Sequence, residues 1–258
     1  MKIIVSLTSF PAAIPFAVNA IKSIMNQSVL PDKIVLYLTA EQFPDKKLPA
    51  ELLNLVESSS LFEIRFYSEN IRSYTKLIPA LKDFPDDIII TIDDDINYPR
   101  DLIKKLLRAH KKYPNAIVAH RVRRVRWDAD GNLLPYKKWG RYMRLRYYLW
   151  SCRPRLCNLL TGVGGVLYPP HSLPPEASDA GTFMKLAPTT DDIWFWLMAA
   201  KTGTGTAPVR WGFVNQLGDM HKPRDITLSS VNIKSAVDVN RENAEKIIAH
   251  YKIKTPIK

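Results

Sequence analysis

The chain has 258 residues, 46% of them hydrophobic and 24% charged, the balance of a soluble globular protein with one large core, and it has no apolar run long enough to cross a bilayer. Its 37 Lys and Arg outnumber 25 Asp and Glu, and the resulting +12 charge calls for an anionic partner or surface. A membrane-spanning class is excluded, and one α/β domain over 1–258 is expected.

In chain order, "MKIIVSLTSF" carries a Lys and a short apolar run without a small-residue cleavage site, so it reads as a core strand and not as a signal segment. "AIPFAVNAIKSIMNQ" has apolar residues at helical spacing, "KIVLYLT" reads as a second strand and "LPAELLNLVES" as a second helix. The pattern repeats with the strand "FEIRFY", the helix "YTKLIPALKDF" softened by Pro79, and the strand "DIIITID". A helix, "DLIKKLLRAHKKY", and a strand, "AIVAH", follow Pro99. Beyond them the alternation gives way to Pro- and Trp-rich segments with a turn at "DADGN". Strands separated by helices predict an α/β fold with a mostly parallel sheet, whose ligands collect at the carboxyl ends of the strands.

The last strand of that series ends in Asp93, Asp94 and Asp95. Adjacent carboxylates repel one another, which makes an acid cluster at a strand end a candidate divalent-metal site, although a solvated acidic turn would carry the same letters. In D-x-D form Asp93 and Asp95 share one side of an extended backbone and leave Asp94 facing elsewhere. Such a pair can hold a Mg²⁺ or Mn²⁺ that bridges two phosphates. Neither a G-x-G-x-x-G nor a P-loop occurs, so phosphates would have to be held by metal and cations.

The excess positive charge concentrates in "HRVRRVRW" (120–127) and "KKWGRYMRLRYYLWSCRPR" (137–155), where it is interleaved with Trp and Tyr. That composition suits an anionic membrane surface as well as it suits a solvated basic face, and nucleic acid ranks behind both. Cys152 and Cys157, in "CRPRLC", lack the companions a zinc site needs and read as reduced thiols of a cytoplasmic protein.

Taken together, "IIVSLTSFP", "SIMNQSVLPDKIVLYL", "RSYTKLIPALKDFPDDIIITIDDDI", "TGVGGVLYPP" and "PTTDDIWFWLMA" resemble a bacterial nucleotide-sugar glycosyltransferase of the GT-A fold, in the group related to glycosyltransferase family two. The resemblance spans nearly the whole chain and is poorest over 137–158. It implies a Rossmann-like GT-A sheet with a nucleotide-sugar-binding half (1–120) and an acceptor-binding half (121–258) that carries a basic aromatic insertion (137–158). It implies Mn²⁺ or Mg²⁺ as cofactor, a nucleotide-sugar donor (a UDP-sugar is expected) and a saccharide or lipid-linked glycan acceptor. The setting would be surface-polysaccharide synthesis in the cytoplasm or on the inner face of the cytoplasmic membrane, by an inverting reaction.

The resemblance also implies roles for particular residues. Thr8, Arg72, Lys76, Asp93, Asp94 and Lys222 fall on the donor side, and Asp93, Asp95 and His221 on the metal. Asp191 and Asp192, in "TTDDIWFW", fall where inverting members place the catalytic base. Thr190 and the two acids would equally make a good helix start, and helical spacing leaves one of the pair facing the sugar, with Asp192 preferred. Trp194 and Trp196 read as core first, with one of them open to stacking on a sugar ring at the cleft, and Gly162, Gly164 and Gly165 as a close backbone approach to a ligand or a strand bulge. A sugar nucleotidyltransferase would use similar acids but lacks its Gly-rich loop here. A non-catalytic polyanion-binding protein would have no use for the D-x-D.

Overall fold

The structure is a computed structural model that describes residues 1–141, 152–210, 218–219 and 238–257. Strands β1 (Ile3–Ser9), β2 (Lys33–Thr39), β3 (Phe62–Tyr67) and β4 (Ile88–Thr91) alternate with helices α1 (Ile14–Met25), α2 (Ala50–Ser58) and α3 (Ile78–Asp83). The strand β5 (Ile96–Asn97), the helix α4 (Leu102–Lys112) and the strands β6 (Ile117–Ala119), β7 (Val122–Arg124), β8 (Gly140–Arg141), β9 (Asn158–Leu160) and β10 (Val166–Tyr168) follow. Then come helices α5 (Ala180–Leu186) and α6 (Asp191–Lys201), strands β11 (Thr206–Pro208) and β12 (Gly218–Asp219), and helix α7 (Val239–Tyr251).

Seven strands form the central sheet in the order β11-β6-β10-β4-β1-β2-β3. The β4-β1, β1-β2, β2-β3 and β11-β6 pairs are parallel, while β10 is antiparallel to both β4 and β6. This mostly parallel α/β sheet flanked by helices is the GT-A, Rossmann-like architecture expected from the sequence. Its strands are apolar on both sides because each face is covered. Ile4, Tyr37, Ile89 and Val166 point into one core with Trp194 and Phe195 of α6 and Ile247 of α7. Their neighbours Val5, Leu36, Ile90 and Leu167 point into the other, against Ile21 of α1 and Leu106 of α4.

Pro79 does not soften a helix interior. The residues before it, Arg72–Lys76, form a 3₁₀ turn, and Pro79 sits in the first turn of α3, where a missing N–H leaves nothing unpaired. Two-stranded (β12-β5) and three-stranded (β8-β7-β9) sheets lie beside the main one. No helix among the described residues is long and apolar enough to cross a membrane.

Candidate functional site

The acid run leaves the sheet at its carboxyl edge. Ile92 N–H still bonds the Ser6 carbonyl at 3.1 Å, but Asp94 and Asp95 enter a turn, so the extended D-x-D geometry expected from the sequence does not form. Asp94 is buried and its Oδ2 accepts from Ser9 Oγ at 2.6 Å, which uses this carboxylate to tie the turn to the end of β1. Tyr98 supports the turn from below: its hydroxyl accepts from the Asp93 N–H at 2.9 Å and donates to the Val163 carbonyl at 3.3 Å.

Lys76 reaches this point from the 3₁₀ turn. Ser6 Oγ donates to the Lys76 carbonyl at 2.6 Å. Two residues earlier, Tyr74 bonds the Ala187 carbonyl at 2.7 Å and stacks on Phe183 with 4.0 Å between ring centres. Held in this way, the Lys76 ammonium lies 2.9 Å from Asp93 Oδ1 and 3.1 Å from Asp191 Oδ2. Burial opposes its charge, but the Asp191 and Asp93 carboxylates outweigh burial and hold its pKa well above the ordinary lysine value.

Asp191 and Asp192 open α6, where the helix dipole favours negative charge. Thr190 precedes them without capping the helix with its side chain. Its hydroxyl instead accepts from Asn243 Nδ2 of α7 at 3.0 Å, which fixes the helix start from outside. The two carboxylates do not diverge. Asp191 meets Lys76, while Asp192 receives the Gly162 N–H on both oxygens, at 3.0 and 3.2 Å. Burial, and then the negative charge of Asp191, push the Asp192 pKa up to about 7.

Gly162 explains why the cluster closes. A Cβ on it would stand 2.8 Å from Lys76 Nζ, 3.3 Å from Asp192 Oδ1 and 3.4 Å from Asp93 Oδ1, so a side chain there would collide with the cluster itself. Gly165, at φ +81, takes the left-handed conformation that ends this turn before β10.

The contacts that build this cluster do not include the other expected site residues that are described. The Thr8 hydroxyl donates to the Tyr37 carbonyl at 2.8 Å, across to the neighbouring strand. Arg72 is exposed and has φ +55. Trp194 and Trp196 are core residues, with indole N–H groups bonded to the Ala177 and Leu156 carbonyls at 2.9 and 2.6 Å. His221 and Lys222 lie outside the described residues, but β12, which leads to them, pairs with β5 directly after Asp95. Sequence reasoning missed Ser9, Tyr98 and Asn243, whose ordinary polar side chains gain meaning only from residues far along the chain.

Among the described residues no group of three or more His, Cys, Asp or Glu side chains is placed to hold a metal. Asp93 and Asp95 are half-buried carboxylates, the donor type of hard cations such as Mg²⁺ and Mn²⁺, which take one or two carboxylates together with substrate phosphate oxygens. Two surface cavities lie elsewhere. One of about 350 Å³ is lined by Arg153, Arg155 and Gly205, and one of about 620 Å³ by Lys201, Tyr251 and Lys254. Lys201 is at the far end of α6, about 15 Å from its first turn at the usual helical rise.

The mostly parallel sheet with its reversed β10, flanked by helices, is a GT-A-like α/β fold. It is similar to the fold of the mannosyltransferase PcManGT from Pyrobaculum calidifontis, solved in complex with GDP-Man and Mn²⁺, at TM-score 0.50 and 15% identity. The match covers 80% of this chain and 54% of that one, so the chain spans about half the length of this structure. Also matched are the Mycobacterium tuberculosis glucosyl-3-phosphoglycerate synthase, solved with Mn²⁺, UDP and glucosyl-3-phosphoglycerate, and a CMP:2-keto-3-deoxy-manno-octonic acid synthetase complexed with CTP. The first aligns at TM-score 0.49 and 14% identity over 98% of this chain and 81% of that one. The second aligns at 0.44 and 12% over 80% and 88%. No protein-family model and no curated protein matches the sequence.

Proposed function

We propose that the protein is a metal-dependent glycosyltransferase of the bacterial group related to family two. It moves a sugar from a nucleotide-sugar donor, a UDP-sugar, to a saccharide or lipid-linked glycan acceptor in surface-polysaccharide synthesis, with inversion at the anomeric carbon. The observation that carries this reading is the convergence of Asp93, Lys76, Asp191 and Asp192 on Gly162, at the carboxyl edge of the sheet where ligands of α/β folds bind.

Asp192 is the general base in this reading. Gly162 N–H aims its carboxylate, and a pKa of about 7 lets it take the acceptor hydroxyl proton near neutral pH while that oxygen attacks the anomeric carbon. Lys76 and Asp191 fix the distance between donor and acceptor sides. Asp93, Asp95 and His221 would hold Mn²⁺ or Mg²⁺, which when bound would neutralise charge on the departing diphosphate. What supports His221 as a ligand is that Gly218 and Asp219, which precede it closely in sequence, pair with Asn97 and Ile96 directly after Asp95. Thr8, Arg72, Asp94 and Lys222 belong to the donor side, Asp94 through the bond that shapes the turn.

On this reading residues 1–120 hold the donor and residues 121–258 the acceptor, within one domain. Proton NMR of the first-formed product tests the mechanism: an inverted anomeric configuration is expected, and a retained one would refute Asp192 as base. The enzyme is assigned to the cytoplasm, with residues 137–155 meeting anionic lipid of the inner leaflet. Flotation with anionic liposomes at low salt tests this, and a protein that ignores them works away from the membrane.

A further inference from the structure

Because β10 is antiparallel to both β4 and β6, those two strands point the same way and their carboxyl ends share one edge. Asp93 follows β4 at that edge. His120 and Arg121 follow β6, two strands over, about 10 Å away at the usual strand spacing. The turn Gly162–Gly164, leading into β10, lies between them, and Asp192 hangs on that turn.

Arg121 is built into the same turn. Thr161 donates both its N–H and its hydroxyl to the Arg121 carbonyl, each at 3.1 Å, and a Cβ on Gly164 would stand 3.0 Å from both Arg121 Cβ and Arg121 N. The residue is half-buried, and among the described residues no carboxylate forms an ion pair with it. Arg123, by contrast, is buried with its guanidinium 4.3 Å over the Tyr136 ring. The turn that carries Asp192 therefore runs between Asp93 at the end of β4 and Arg121 at the end of β6.

We propose that Arg121 binds a negatively charged group, phosphate or carboxylate, on the acceptor, so that the enzyme acts on phosphorylated or acidic glycans in preference to neutral ones. The word acceptor rests on the glycosyl-transfer reading above. The donor diphosphate belongs with Asp93 and Asp95 at the β4 edge, and a base must touch the acceptor hydroxyl, so the group across from it, by β6, faces the acceptor. A guanidinium fork matches phosphate and carboxylate geometry, and such charge-assisted bonds are the strong ones.

The test is calorimetric binding of glucose 6-phosphate, glucuronate and glucose to the full chain with saturating Mn²⁺ and UDP, which keep the probes off the donor side. UDP binding is measured first, and its absence counts against the UDP-sugar reading alone, since the probe series is then run without it. The two charged probes are expected to bind about ten- to a hundredfold more tightly than glucose, with the difference shrinking as salt rises. Arg121→Gln should erase the difference, and Arg121→Lys should keep part of it for the phosphate. Equal binding of charged and neutral probes, no binding of either charged probe, or an undiminished preference in folded Arg121→Gln would overturn the proposal.

Discussion

Lys76 Nζ stands 3.1 Å from Asp191 Oδ2, which joins the turn after β3 to the first residue of α6 through a buried ion pair. The same ammonium contacts Asp93, so one lysine separates three carboxylates that would otherwise repel.

Replacing it with a shape-similar apolar residue should therefore cost stability and not only activity. Lys76→Met leaves buried Asp191 and half-buried Asp93 uncompensated, a loss of about 3–5 kcal/mol for breaking the buried Lys76–Asp191 pair. Urea unfolding measures it. A variant within about 0.5 kcal/mol of wild type would show that the pair is dispensable.

Gly162→Ala makes the opposite kind of change. The added Cβ meets the far end of the Lys76 side chain and the Asp192 carboxylate, so side chains and not backbone must yield and the aim of both groups is lost. Transfer should fall about 10²-fold, as for a misplacement of about 1 Å, with the unfolding midpoint little moved. Steady-state kinetics beside thermal unfolding distinguishes this from a general loss of structure.

Much of this arrangement was legible beforehand. Alternating strands and helices gave the parallel sheet through β6, because those runs are long enough to show their periods. The acids at 93–95 and 191–192 stood out by type. What stayed hidden was short or non-local. Strands β7, β9 and β10 have three residues each, too few for a period, and β10 enters the middle of the sheet reversed. Helix α7 was not foreseen at all, although its Asn243 anchors Thr190. The helix does start at Thr190 and the two acids, but the Thr190 hydroxyl accepts from Asn243 and makes no side-chain cap.

Tyr98 is buried, and Tyr98→Phe removes the acceptor for the Asp93 N–H and the donor to the Val163 carbonyl, both part-buried bonds. An unsatisfied buried donor costs about 1–3 kcal/mol. The loss should appear in unfolding experiments and as weaker binding of UDP with Mn²⁺, since the turn that carries Asp93 and Asp95 loosens. Wild-type values in both would free Tyr98 of this role.

The Asp192 pKa of about 7 fixes a pH dependence. The base must be ionised, so the transfer rate should rise with pH along a limb centred near 7 and level off above it. The same raised pKa means that the unfolded chain loses this proton at lower pH. Its contribution to stability is present below about pH 4 and is lost as pH rises through about 7. Asp192→Asn should remove both trends, and a limb that persists in that variant would assign it to another group.

The most direct test is to incubate the protein and Asp192→Asn with Mn²⁺ and a panel of sugar nucleotides and to follow nucleoside diphosphate release, with nucleoside triphosphates plus free sugars run alongside. The account predicts that one donor releases nucleoside diphosphate, that chelation stops the release, and that Asp192→Asn slows it by about two to four orders of magnitude. No release from any sugar nucleotide, or pyrophosphate formed from a triphosphate instead, would contradict it.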